Sequence, residues 1–225
     1  MSKRSKRYRA LKEKVDSTKT YNLDEAMGML SSGDSTKFST AVELHVRTGI
    51  DVKQSDQAVR GTVVLPHGSG KTQRILALTN NAKEAEAAGA VRAGGEEIIN
   101  DLKSGGKIDF DVLVAEPAFM PKLAPVAKIL GPKGLMPSPK DGTVTPDVVK
   151  AIKDLVKGKI SFKNDDTGNV HMIVGRVAFG PEKIKENIQA AFEAIKTARP
   201  TTIKGTFIKA ITLCTTMGPG IKVTL

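Results

Sequence analysis

The most enzyme-like string in the chain is a glycine-rich segment from His67 to Thr72, which reads HGSGKT. A glycine-rich loop that ends in Gly-Lys-Thr before a helix can cradle phosphates with its backbone N–H groups. Such a loop needs a glycine five residues before Gly70, but Leu65 stands there, and a strand-like run follows where a helix should begin. The string therefore favours a hinge or loop. A phosphate-handling α/β enzyme that uses the 67–72 loop remains the alternative function.

Residues that could bind a metal or act as nucleophiles are few and scattered. His45, His67 and His171 lie far apart, with no cysteine or carboxylate at metal-ligand spacing, so each is predicted to be a surface or hinge residue. The single cysteine, Cys214, lies in an apolar run outside any nucleophile elbow, which predicts inert packing. It cannot form an internal disulfide, as is typical of a reducing compartment. We therefore expect no metal, no cofactor and no catalytic residue.

The charge of the chain points to a different kind of partner. The 225 residues include 35 Lys and Arg against 24 Asp and Glu, a formal net charge of +11. Residues 1–66 and 159–225 hold +9 of this charge, and residues 67–158 hold only +2. The first 20 residues alone contribute +6, which predicts a basic N-terminal arm or helix. This excess indicates a polyanionic partner.

Apolar stretches in the chain are short. The longest run without Lys, Arg, Asp or Glu, residues 210–221, has twelve residues, whereas a transmembrane helix needs roughly 20. No apolar region follows the basic start, so no secretory signal is expected. These features predict a cytoplasmic protein without a membrane partner.

Aromatic content narrows the kind of nucleic acid. With 2 Tyr, 7 Phe and no Trp, the chain is poorly equipped to stack the bases of single strands. Folded RNA, read through its phosphates and 2′-hydroxyls, needs small polar and basic groups instead. Residues 37–40 and 215–218 supply such groups at the ends of two predicted strands, and Met217 can lie against a sugar or base. Ordinary strand ends remain the alternative interpretation of these two segments.

One further basic run lies in the middle of the chain. Between Glu116 and Asp141 there is no acidic residue, while lysines alternate with prolines and glycines. This run could contact nucleic acid or another part of the protein, or it could be a solvent loop joining a strand to a helix. The sequence leaves these alternatives open.

The predicted elements change in character along the chain. Residues 38–50 alternate with a period of two, as in a half-buried strand, and a second strand at 59–65 is predicted to pair with it antiparallel. From 73 to 157 strands alternate with helices, which is typical of βαβ units on a parallel sheet. Residues 160–163 and 170–177 are predicted to form a hairpin around the turn at 164–168. A helix from Pro181 to Arg199 and a final strand at 205–215 follow.

This order favours a chain with one domain inserted into another. Each flank would be marginally stable alone, so we expect residues 1–66 and 159–225 to fold together as an α+β domain with an antiparallel sheet. Residues 67–158 would form an inserted α/β domain. Three sequential modules are the alternative organisation.

The chain resembles a known family in five strings. They are KFSTAVELHVRTGID (37–51), SDQAVRG (55–61), LPHGSGK (65–71), ILGPKGLMPSPKDGTVTP (129–146) and TTMGPG (215–220). In order and spacing these resemble the bacterial-type family of universal large-subunit ribosomal protein one, which forms the mobile side stalk near the tRNA exit site. The resemblance covers essentially the whole chain.

The resemblance implies a fold, partners and a site. The fold is a split α+β first domain and an inserted, Rossmann-like, three-layer α/β second domain. The implied partners are large-subunit rRNA, exit-site tRNA and the protein's own mRNA, whose translation family members repress; outside the ribosome the protein would be a monomer and not an enzyme. The implied RNA-binding residues are Lys37, Phe38, Ser39, Thr40, Glu43, Thr215, Thr216, Met217 and Gly218. Glu43 is expected to accept hydrogen bonds from a guanine edge or a ribose hydroxyl, or to orient a neighbouring lysine.

Overall fold

The structure is a computed structural model that describes residues 5–32, 38–104, 108–203 and 205–224. Its helices are α1 (Lys6–Glu13), α2 (Leu23–Ser32), α3 (Ala82–Ala87), α4 (Glu96–Lys103), α5 (Met120–Leu123), α6 (Ala127–Leu130), α7 (Val148–Val156) and α8 (Pro181–Thr197). Its strands are β1 (Tyr21–Asn22), β2 (Ala41–Thr48), β3 (Arg60–Val64), β4 (Ile75–Leu78), β5 (Arg92–Gly94), β6 (Val112–Ala115), β7 (Lys159–Lys163), β8 (Asn169–Arg176), β9 (Ile208–Thr215) and β10 (Ile221–Thr224). Among the residues described, no helix combines the length and apolarity needed to cross a bilayer.

The fold is mixed α/β, and the backbone divides into two compact units. The first consists of Met1–Gly70 together with Ile160–Leu225, and the second of Lys71–Lys159. We call them the split unit and the middle unit. The chain thus leaves the split unit once and returns to it once.

The split unit is built on a five-stranded sheet in the order β1-β10-β9-β2-β8. Among β10, β9, β2 and β8 each strand runs antiparallel to its neighbour, and β1 lies parallel to β10. The predicted alternation of β2 is confirmed, because Val42, Leu44 and Val46 are buried between less buried neighbours. These residues share one apolar core with buried side chains of α2 and α8. Phe38 departs from the predicted pattern, since it lies before the strand begins and is 51% exposed.

Two predicted strand pairings are wrong. β3 does not pair with β2, because β8 and β9 occupy both edges of β2, and β3 pairs with β7 instead. The predicted hairpin of β7 and β8 also fails: its turn forms, but the strands join different sheets and share only the isolated bridge between Asn164 and Val170. Asn164, just after β7, donates its backbone N–H to the carbonyl of Val59, just before β3 (3.0 Å), so β3 and β7 run antiparallel.

Helix α8 packs against the sheet of the split unit through buried side chains. Pro181 occupies its first turn. Of the apolar face predicted from helical spacing, Ile184, Ile188, Ala191 and Ile195 are buried, and Phe192 is partly buried. Asn187 is fully buried in the same helix. Its side-chain amide donates to the carbonyls of Val174 (2.8 Å) and Gly68 (3.0 Å), and its oxygen accepts the backbone N–H of His67 (3.1 Å).

Replacing Asn187 with leucine is expected to lower the free energy of unfolding by about 2 kcal/mol. The variant removes three hydrogen bonds and leaves the carbonyl of Val174 buried without this partner, while the groups of the 67–68 loop can regain water. Urea-induced unfolding followed by circular dichroism measures the loss. Gln189→Leu, an exposed position in the same helix, is the matched control and should change stability by less than about 0.5 kcal/mol. Equal effects at the two positions would contradict the role given to Asn187.

The middle unit contains a parallel three-stranded sheet in the order β5-β4-β6. All four residues of β4 are buried, as expected where both faces of a parallel sheet are covered. Ile75 and Ala77 pack in one core cluster with residues of α3 and α7, and Leu76 and Leu78 pack in another with residues of α4. The predicted βαβ pattern is confirmed here, although β5 was not predicted.

Part of the basic run between Glu116 and Asp141 packs into the core of the middle unit, while residues 131–134 are exposed. It folds into short helical turns that begin at prolines or alternate with them, because proline fits the first turn of a helix. Phe119, Leu123 and Leu130 are buried in the core of the middle unit. The open alternative that this run contacts another part of the protein is therefore the one that the structure supports.

Candidate nucleic-acid interface

The ends of β2 and β9 lie side by side in the split unit. Their antiparallel register places Val42 opposite Thr215. Beyond this pair, the backbone N–H of Thr216 donates to the carbonyl of Ala41 (3.1 Å), and the N–H of Ala41 donates to Thr216 Oγ1 (3.0 Å). Of the two segments expected to meet, residues 37–40 and 215–218, the first leads into Ala41 and is thus joined to the second by a short network at the ends of β2 and β9.

A tight turn follows β9 and leads into β10. Strand β10 was not predicted from the sequence. Gly218 donates its N–H to the carbonyl of Thr215 (3.0 Å), and a Cβ at Gly218 would stand 2.3 Å from Thr215 Oγ1. Any residue other than glycine at this position would therefore require the Thr215 side chain or the turn to shift. The turn presents Met217, a large apolar side chain that is 50% exposed.

Residues 38–40, the segment before β2, lead directly into Ala41 and its hydrogen bonds with Thr216. Phe38 and Ser39 are exposed, whereas Thr40 is buried (2% exposed). Arg176 donates through Nη1 to the carbonyl of Ser39 and through Nε to the carbonyl of Gly70, both at 3.0 Å, which fixes the segment against β8 and the 67–70 loop. Lys37, the first residue of the expected site, lies outside the described residues.

A basic helix lies against the turn. Helix α1, within the predicted basic arm, is capped by Ser5, whose hydroxyl accepts the N–H of Tyr8, and its Arg7 lies within 3.5 Å of the carbonyl of Met217 through Nη2. Nothing in the sequence indicated that residues 210 positions apart would meet here. The turn and α1 together offer an apolar side chain, hydroxyls and cationic groups on one surface, which is the chemistry that folded RNA requires.

Glu43 belongs to a second cluster, on the open face of the same sheet. Its Oε2 lies 3.6 Å from His45 Nε2, which in turn lies 3.1 Å from Cys214 Sγ. His45 Nδ1 lies 2.7 Å from His171 Nδ1, and His171 Nε2 lies 3.3 Å from Asp165 Oδ2. The sequence predicted separate surface or hinge residues, but strand register places His45 and His171 in contact although they are far apart in sequence.

The protonation of this cluster follows from its partly buried position. Burial lowers the pKa of His45, with a further contribution from His171, while Glu43 opposes the shift. Burial also raises the pKa of the Cys214 thiol to about 11, helped by the negative charge of Glu43. Hydrogen bonds from Asn169 and Thr167 lower the pKa of Asp165. At neutral pH the thiol is therefore protonated and Asp165 is ionised.

The loop at 67–72 does not resemble a phosphate site. The chain enters β4 at Ile75 instead of a helix, so the loop does not lead into a helix N-terminus as a phosphate-binding loop would. His67 lies 2.6 Å from Glu186 through Nε2, and the loop is also held by Asn187. Its contacts are those of a segment fixed against α8.

The basic helix and the polar strand ends are features expected of a protein that binds folded RNA. A sequence profile described as the Ribosomal protein L1p/L10e family matches residues 29–219. The chain is 51% identical to the large ribosomal subunit protein uL1 of Mycoplasma capricolum over 99% of both chains. It is 50% identical to the protein of that name from Mesoplasma florum, again over 99% of both, and 48% identical to that of Thermosipho melanesiensis over 99% of this chain and 97% of the relative.

The chain therefore belongs to the ribosomal protein L1 family. This confirms the resemblance found in the five sequence strings. It also places the chain among structural, non-enzymatic proteins, so the phosphate-handling alternative falls away.

Proposed function

We propose that this chain is a structural constituent of the large subunit of the cytoplasmic ribosome and binds folded large-subunit rRNA through the split unit. The observation that carries the site is the network between Ala41 and Thr216, which sets two otherwise separate segments beside each other. Around it lie the exposed side chains of Phe38, Ser39 and Met217. The residues assigned to the RNA are Lys37, Phe38, Ser39, Thr40, Glu43, Thr215, Thr216, Met217 and Gly218.

The two units would have different roles. The split unit corresponds to the RNA-binding domain expected from residues 1–66 and 159–225, and the middle unit to the inserted, Rossmann-like, three-layer domain. Helices packed on both faces of the parallel sheet support the layered description. In the assembled ribosome the middle unit would stand out as part of the mobile side stalk and move with exit-site tRNA.

A further role follows from the same surface. A segment of the protein's own mRNA that folds like the rRNA site would bind the same residues and repress translation. Since one surface serves both RNAs, free protein would occupy the mRNA only when rRNA is scarce. Outside the ribosome the protein is expected to be a monomer.

The test is a filter-binding titration of the full chain with bacterial large-subunit rRNA across a series of salt concentrations. Tight binding should be specific to large-subunit rRNA, with small-subunit rRNA bound only at low salt. Arg7→Ala should weaken binding a few-fold and reduce the slope of log K against log salt by about 0.7 to 0.9, the contribution of one phosphate contact. Lys83→Ala, an exposed cation of α3 in the middle unit, should leave the slope unchanged. Equal affinity for both rRNAs would contradict the proposed function.

A further inference from the structure

We propose that Glu43, His45 and Cys214 form a binding site for a zinc-class divalent metal ion on the open face of the five-stranded sheet. The three side chains are partly buried, and one ligand atom of each lies within 4.8 Å of the other two. The site does not require bound rRNA, because the fold of the free protein already brings its ligands together, although Glu43 is also one of the residues assigned to the RNA.

Strand register places these ligands. Glu43 in β2 stands directly opposite Cys214 in β9, and His45, two residues further along β2, projects from the same face. On the other side of β2, His45 stands directly opposite His171 in β8. Three adjacent strands therefore bring together the three proposed ligands and His171, the partner of His45. A one-residue slip of any strand would move its side chain to the opposite face of the sheet.

A chain of hydrogen bonds selects the ring nitrogen of His45 that can bind metal. Asp165 can only accept, so His171 Nε2 carries the proton of that contact (3.3 Å), and His171 Nδ1 is left as an acceptor. His45 Nδ1 must then donate to His171 Nδ1 (2.7 Å), which leaves His45 Nε2 unprotonated. That lone pair points to Cys214 Sγ at 3.1 Å. Metal-binding histidines in proteins are typically fixed in this way by a partner on their other nitrogen.

The distances between ligand atoms fit tetrahedral zinc. Bond lengths of about 2.0–2.1 Å to nitrogen and oxygen and about 2.3 Å to sulfur imply N···S and N···O separations of about 3.5 and 3.4 Å. The separations here are 3.1 Å for His45 and Cys214 and 3.6 Å for His45 and Glu43. These two separations would change by about half an ångström at most on zinc binding, and the third, between Glu43 and Cys214, lies within 4.8 Å.

The donor set also indicates which metal is bound. Imidazole nitrogen and thiolate sulfur are poor ligands for Mg²⁺ and Ca²⁺ but suit Zn²⁺ and Co²⁺. Binding forms three protein–metal bonds, breaks the S–H bond of Cys214 and releases that proton to solvent. Two anionic ligands then balance the charge of the ion, and water fills the fourth position. Metal binding would thus neutralise the negative charge of Glu43, which lies in the same strand, β2, as part of the proposed RNA-binding surface.

Cobalt(II) titration of the full-length, untagged chain tests the site directly. Tetrahedral cobalt bound to thiolate gives a charge-transfer band in the near ultraviolet and strong visible d–d bands. We expect both bands to saturate at one equivalent and to disappear when one equivalent of Zn²⁺ is added. Absence of the charge-transfer band from the wild-type protein would overturn the proposal without reference to any variant.

Variants then assign the ligands. Cys214→Ser should abolish the charge-transfer band, and His45→Gln should weaken zinc binding at least tenfold in competition with a chromophoric chelator. His171→Phe removes the acceptor of His45 Nδ1, so it should weaken binding about 10- to 100-fold while leaving the charge-transfer band in place at saturation. His67→Gln, outside the cluster, is the matched control, and circular dichroism verifies folding. Zinc affinity unchanged within threefold in both Cys214→Ser and His45→Gln would contradict the assignment.

Discussion

Replacement of Met217 by aspartate is expected to weaken binding of large-subunit rRNA about 100-fold, or about 3 kcal/mol, without unfolding the protein. The side chain is 50% exposed on a turn whose backbone is fixed by Thr215, Ala41 and Gly218. An apolar side chain buried at the centre of an interface typically accounts for 1–2 kcal/mol or more of the binding energy. A carboxylate in its place would also face phosphates, and repulsion at an interface adds a similar amount.

The control for this variant introduces the same charge change at an exposed apolar side chain outside the proposed interface. Val91→Asp in the middle unit, at a side chain that is 66% exposed, alters net charge by the same amount and should change affinity less than threefold. Filter binding at fixed salt measures both variants, and their melting temperatures should match that of the wild type within a few degrees. If Met217→Asp bound as tightly as Val91→Asp, the turn would not be part of the RNA interface.

Local patterns in the sequence predicted the elements better than their pairing. The alternation in β2 and the apolar stripe of α8 depend on nearby residues, and both are confirmed. The partner of β3 depends on which strands occupy the edges of β2, which no local pattern encodes. The basic run that begins after Glu116 was not recognised as helical turns for another reason: its apolar residues are separated by prolines and lysines.

At the candidate interface, too, local features were predicted from the sequence and contacts between distant segments were not. Strand ends rich in small polar residues indicated where RNA could bind, and the structure brings residues 38–40 and 215–218 together. The contact of Arg7 with the turn and the cluster of His45, His171 and Cys214 could not be predicted, because each depends on register or on packing between distant segments. Sequence spacing is a poor guide to a metal site whose ligands come from adjacent strands.

Dissecting the chain into its two units is expected to separate RNA binding from the rest of the protein. A shortened chain that joins Gly70 to Ile160 through a linker of about six Gly and Ser residues should fold and bind rRNA within threefold of the full-length affinity. Residues 71–159 alone should bind at least about 1,000-fold more weakly, a difference of about 4 kcal/mol. The reason is that every residue assigned to the RNA lies in the split unit, which also carries +8 of the net charge against +3 for the middle unit.

The structure makes this dissection feasible. Because β3 and β7 run antiparallel, the chain leaves β3 and returns to β7 at the same end of the pair, and six residues can span up to about 20 Å. The apolar core of the split unit draws its buried residues from both flanks, and Asn187 holds the 67–68 loop in place. Cooperative urea unfolding, followed by circular dichroism, would show that the shortened chain is folded.

Each outcome of the dissection leads to a different conclusion. A shortened chain that does not fold would contradict the assignment of the flanks to one autonomous domain. A shortened chain that folds but binds rRNA 100-fold more weakly would show that the middle unit shares the interface, and the lysines that follow Glu116 would be the first residues to replace. Retained binding by the shortened chain together with loss of binding by Met217→Asp in the same background would assign the rRNA contact to the surface formed by the ends of β2 and β9.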